Sequence, residues 1–185
     1  MLVLLSCNSQ NDKIAPETRP KQLALAKSEN SPVFNISFKE LVKAYWGLKE
    51  GFTSEKDSAI AQSARTMKLA ADSLKLSELK ADSSLIFTAS TYSEGISSEL
   101  IGLLGENQMQ AKRRSFQMVS DQLYDLIRTV QFDQILLLHA YCQNAFDDQG
   151  AYWICEPNDL KNPYLPNTTA KCCEIKDTIQ IGTNH

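Results

Sequence analysis

Four of the five cysteines in this chain, Cys142, Cys155, Cys172 and Cys173, lie in its last third. They stand among short aromatic and turn-forming runs: Tyr141-Cys142-Gln143-Asn144-Ala145, Gly150-Ala151-Tyr152-Trp153, Asn162-Pro163-Tyr164 and Lys171-Cys172-Cys173-Glu174. Thiolates are the soft ligands that select copper(I) and zinc, and thiols are also the raw material of disulfides. Function therefore turns on the state of these sulfurs. Four cysteines permit three pairings, and a bridge between the adjacent Cys172 and Cys173 would be strained, so each looks to a distant partner.

Other chemistry is thin. There is no Cys-X-X-Cys pair, no phosphate-binding glycine loop and no Gly-X-Ser-X-Gly elbow, so an enzyme is not expected. Thiol–disulfide exchange at Cys172-Cys173 would need one accessible sulfur of low pKa. His139 lies three residues before Cys142, on the opposite face of an extended strand, and reads as structural rather than as a ligand. His185 is terminal. Asp147-Asp148 reads as a solvated turn, and Lys112-Arg113-Arg114 as a solvated face at a helix start. Trp153 and Tyr164 read as large packing groups whose polar atoms orient loops.

The elements that must position the sulfurs follow from apolar spacing. A first helix, capped by Ser37, buries Phe38, Leu41, Val42, Tyr45 and Leu48 and stops at Gly51; Ser54 caps the next. The second repeats Ile60, Ala64, Met67, Ala71 and Leu74. A third places Leu85, Ala89, Tyr92, Ile96, Leu100 and Leu103 on one face and ends at Gly105. A fourth presents Phe116, Val119, Leu123, Leu126, Ile127 and Val130. Met67, Met109 and Met118 read as core filling. Four amphipathic helices with short connections predict an antiparallel four-helix bundle in a mainly α fold. After Phe132 the period changes, and Ile135 to Cys142, Ala151 to Cys155 and Lys171 to Ile181 read as strands of a small C-terminal β or irregular cysteine-rich cap. Such a cap would bring the four cysteines close together.

At 185 residues the chain has the length of one domain whose core needs no disulfide to fold. With 22 acidic and 19 basic residues and a net charge of −3, it has no electrostatic footprint for nucleic acid or an anionic membrane surface. Leu2-Val3-Leu4-Leu5-Ser6 before Cys7 has the pattern of a shortened bacterial lipoprotein signal, with Cys7 as the lipidated residue. Residues 8–34 are polar and aperiodic, the composition of a disordered tether. The expected organisation is a signal remnant over 1–7, a tether over 8–34 and a single domain over 35–185. Membrane attachment is then by a lipid anchor and not by a span.

The run Phe116 to Ile127, followed by Tyr141-Cys142, Gly150-Ala151-Tyr152-Trp153, Asn162-Pro163-Tyr164 and Lys171-Cys172, resembles DUF3347, a domain common in Bacteroidetes. The resemblance covers roughly residues 38–181 and is strongest in the last forty. That domain occurs alone on exported proteins or fused to periplasmic adaptors of copper and silver efflux systems. The resemblance implies a periplasmic or envelope location, an efflux adaptor or other envelope partner, and a copper(I) or silver site at the two family cysteines, here Cys142 and Cys172. The family's methionines are replaced by Asn144 and Thr169, while Cys155 and Cys173 are gained. Two readings of that exchange stay open. Cys142 and Cys172 can be primary thiolate ligands, with Cys155 or Cys173 completing the site. An oxidising compartment can instead join Cys142 with Cys172 and Cys155 with Cys173, or the crossed pairs, leaving a stapled structural or protein-interaction module without a metal.

Overall fold

The computed structural model of the chain describes residues 28–166 and 172–179. Cys7, most of the tether, Thr169, Lys171 and His185 fall outside the described residues. Four helices, α1 (Pro32–Thr53), α2 (Asp57–Asp72), α3 (Ser83–Gly105) and α4 (Met109–Thr129), are followed by three strands, β1 (Leu137–Cys142), β2 (Ala151–Cys155) and β3 (Glu174–Ile179). The fold is mainly helical with a small antiparallel sheet ordered β2-β1-β3.

The apolar stripes explain the bundle. Phe38, Leu41, Val42, Tyr45 and Leu48 of α1 are fully buried, as are Ile60, Ala64 and Met67 of α2, Ala89, Ile96, Leu100 and Leu103 of α3, and Phe116, Val119, Leu123, Leu126 and Ile127 of α4. Successive helices pack on one another. Aromatic contacts close α1 onto α4 and the segment after it: Tyr45 stacks on Phe116 at 5.3 Å between ring centroids, and Phe38 meets Phe132, three residues past α4, at 4.5 Å.

Several boundaries differ from the sequence reading. Helix α1 starts two turns early, because Ser31 accepts from the Phe34 amide and Pro32 sits where its missing N–H costs nothing. Residues 28–34, expected in the tether, are therefore part of the bundle: Phe34 is fully buried, and Ser28 hydrogen-bonds Asp133 through both its amide and its hydroxyl. Ser37 is inside the helix, donating to the Phe34 carbonyl. Gly51 does not end α1; it is the point of close approach to Ile60 of α2. Ser54 closes α1, with its hydroxyl on the Glu50 carbonyl, and does not start α2. Met118 is 47% exposed, so it is not core filling.

The basic run at the start of α4 is not a solvated face. Lys112 and Arg113 are buried, Lys112 pairing with Asp57 and Arg113 with Glu55 at 2.7 Å, while Arg113 Nε donates to the Pro163 carbonyl at 3.2 Å. Arg114 lies over the Phe146 ring at 4.6 Å. These contacts join the α1–α2 turn and the C-terminal loop to one helix end. Arg113→Ala is expected to lower stability by about 1–2 kcal/mol, because it leaves the buried Pro163 carbonyl without its donor, while the exposed Glu55 carboxylate is hydrated instead. Urea denaturation measures it; a change below about 0.5 kcal/mol would place Arg113 among ordinary surface residues.

The cap is held on the bundle by its outer strand. On β2 the Ile154 amide donates to the Tyr45 hydroxyl at 3.0 Å, and the Tyr152 carbonyl accepts from the Tyr164 hydroxyl at 2.5 Å. Two buried phenols thus satisfy backbone groups that an edge strand would leave open. Tyr164 performs the orienting role expected of it, whereas Trp153 is fully buried with its indole N–H unpaired.

Candidate functional site

Cys142 ends β1 and is 1% exposed, since its row on the sheet faces the core with Ala140 and Trp153. Cys172 is half-buried just before β3, its carbonyl accepting from Asn162 Nδ2 at 3.0 Å. The two are joined in a disulfide with Cα atoms 5.0 Å apart and a sequence separation of 30. The bond fastens the end of β1 to the start of β3. By restricting the unfolded chain, a loop of that length contributes roughly 3–4 kcal/mol.

Cys155 and Cys173 are free, the first buried and the second exposed. Cys155 pairs in register with Leu138, at the far end of β1 from Cys142, whose partner is Ala151. Four strand residues separate these rows, roughly 13 Å. Burial pushes the Cys155 thiol up to about 12, against the pull of Lys49 and with the help of Cys173. Partial burial also raises the Cys173 thiol, again against Lys49. Both free thiols therefore feel the same ammonium. Among the described residues no group of three or more His, Cys, Asp or Glu side chains is placed to hold a metal ion.

Lys49 is the residue the sequence reading missed. It is 1% exposed, and its ammonium donates to Asp159 Oδ2 at 2.6 Å and to the Asp159 carbonyl at 3.1 Å. Burial alone would raise the Asp159 carboxyl, but the hydrogen bond and charge of Lys49 outweigh it and hold the group below its usual range. The signal was present: Lys49 lies one turn after Tyr45 and three before Phe52, on the buried stripe of α1.

A second array occupies the other sheet face. His139 is stacked between Tyr124 of α4 at 3.7 Å and Tyr152 of β2 at 4.7 Å. Its Nε2 is buried without a partner. Asp177, its register partner on β3, accepts from the Tyr124 hydroxyl at 2.5 Å and from Arg128 at 2.8 Å. The ring faces away from Cys142, as expected of a structural histidine. Burial lowers its pKa from 6.5 to about 4, with Asp177 opposing and Arg128 assisting.

Asp121 is displaced the other way, raised from 3.8 to about 6 by burial and then by Asp125. The two groups oppose each other in pH. As pH falls from 6.5 towards 4 the unfolded state binds His139's proton first, so folding loses stability; over the same window the folded state binds Asp121's proton first, so folding gains it. With solvent screening, each is worth on the order of 1–2 kcal/mol. Wild-type stability should be nearly flat between about pH 4.5 and 6.5, His139→Phe should become more stable on acidification, and Asp121→Asn less stable. Urea midpoints across that window decide it; parallel profiles for all three proteins would refute the assignment.

Between β1 and β2 the chain makes one left-handed turn. Phe146, Asp147 and Asp148 have φ of 55°, 57° and 65°, closed by the Gly150 amide on the Ala145 carbonyl at 2.9 Å. Asp147 and Asp148 are exposed, as a solvated turn requires. Gly150, with φ of 80°, has no room for a Cβ beneath the Tyr141 ring.

A family model described as protein of unknown function (DUF3347) matches residues 41–134, half of the chain. The match ends before β1, so the cysteine-bearing cap lies beyond it. No curated protein and no solved structure matches. No helix among the described residues is long and apolar enough to cross a membrane.

Proposed function

We propose that this chain, which belongs to the DUF3347 family, is a non-enzymatic envelope protein that captures one copper(I) or silver(I) ion between Cys142 and Cys172 when that pair is reduced, and closes when it is oxidised. One observation carries the reading: two cysteines from distant parts of the chain are held with Cα atoms 5.0 Å apart, one walled by the core and one half-buried. Reduced in place, they present two soft thiolates on a preformed frame. Two sulfurs suit a soft monovalent d10 ion, whereas a structural zinc site needs four ligands. Cys155, protonated and at the far end of the ladder, takes no part; Cys173, next to Cys172, is the third sulfur within reach. The accessory role in heavy-metal efflux and the adaptor partner are what the family resemblance implies, and the Cys7 anchor rests on the leader pattern.

A stapled interaction module is the second reading, favoured by the bond itself. Alkylation and intact mass separate the two. Anaerobically reduced protein should take up a label on Cys142 and Cys172 that one equivalent of copper(I) blocks. Full labelling in the presence of copper(I) would leave the staple.

A further inference from the structure

The β1·β3 ladder ends on the pair Tyr141 with Glu174. Continued by one residue, that register sets Cys142 opposite Cys173, an exposed free thiol that is the chain neighbour of the bonded Cys172. The ladder also slips between His139, paired with Asp177, and Ala140, paired with Ile175, which leaves Lys176 bulged out of register. A bulge leaves one residue unpaired and disrupts the ladder locally, here two residues from the end that carries the cysteines. We infer that Cys142 has two interchangeable partners, Cys172 and Cys173, and that the cap is an intramolecular thiol–disulfide exchange centre whose oxidised form always leaves one sulfur of the adjacent pair free.

The step balances without an added oxidant. Cys173 gives its proton to water, and the thiolate attacks Cys142 Sγ. The Cys142–Cys173 bond forms as the Cys142–Cys172 bond breaks, and Cys172 leaves as a thiolate that takes a proton back. The attacking species is the thiolate, so exchange quickens with rising pH. Cys155 is the rival partner for Cys173, but its sulfur is fully buried. Nothing here depends on metal capture, and the inference stands if that reading fails.

Wild-type protein held without reductant, acid-quenched and mapped by peptide fragmentation between Cys172 and Cys173 should contain both linkages, interchanging faster at about pH 8.5 than at about pH 6.5. Cys142–Cys172 alone at both pH values would overturn the inference. In Cys172→Ser treated with oxidised glutathione, Cys142 should become bonded to Cys173 with unchanged circular dichroism. A free Cys142, or a Cys173–Cys155 bond, in that variant would also overturn it. Should Cys172→Ser not fold, the wild-type map decides alone.

Discussion

Cys142→Ser is expected to abolish saturable copper(I) binding by the reduced protein while leaving its helical signal intact. Helices α1 to α4 share one core with the cap, and their contacts with one another do not pass through Cys142. A serine hydroxyl is a hard, neutral group and cannot replace a thiolate towards a soft ion. Even groups that merely support a ligand change metal affinity by about 10–100-fold, so loss of one of two ligands should exceed the upper figure. Cys172→Ser should weaken binding less, because Cys173 is the next sulfur along the chain. Cys155→Ser should leave affinity within about threefold of wild type, since that thiol lies at the far end of the ladder. Competition with a copper(I) chelator gives all three numbers. An equal loss for Cys142→Ser and Cys155→Ser would mean a different site.

The second large effect concerns stability. Asp159→Ala should destabilise the fold by about 3 kcal/mol, because it leaves the Lys49 ammonium buried without its carboxylate. Lys49→Met should cost far less, about 1 kcal/mol or under, since an apolar chain of similar length fills the place and frees a partly exposed Asp159. The double variant should resemble Lys49→Met. The pH dependence follows in sign. The Asp159 pKa is depressed in the folded state, so its contribution is full above its unfolded value near 3.8 and fades as pH falls through the folded one. Denaturant titrations of the three proteins at neutral pH form the cycle. If Lys49→Met proved as damaging as Asp159→Ala, the lysine's own packing would matter more than its charge.

The helical part was legible because its signal is periodic and repeated. Each stripe, from Phe38 to Leu48 and from Phe116 to Ile127, is a long run in which one misplaced residue changes little. Helix ends were harder: Ser31, Ser37 and Ser54 look alike as sequence, and only tertiary contact separates a cap from an interior serine. The strands were found from their change of period, and Ala151–Cys155 kept its limits. Their ordering was not legible, because a three-stranded sheet with β1 in the middle depends on where the loop from Pro157 to Pro166 returns. Charged burial was the chief omission. Lys112 and Arg113 were read by type and Lys49 was passed over, although each finds a carboxylate and is buried. Among the cysteines, closeness of Cys142 and Cys172 was expected, and their bond is one of the pairings left open. Cys155 does not join them, since ladder register sets it four rows away.

The most direct test of soft-ion capture gated by the Cys142–Cys172 bond is a copper(I) titration of one preparation, run anaerobically after reduction and again after reoxidation confirmed by intact mass. The account predicts one tightly held ion per reduced chain, protecting Cys142 and Cys172 from alkylation, and no saturable uptake once the bond has re-formed. Equal uptake by both forms, or none by either, would contradict it.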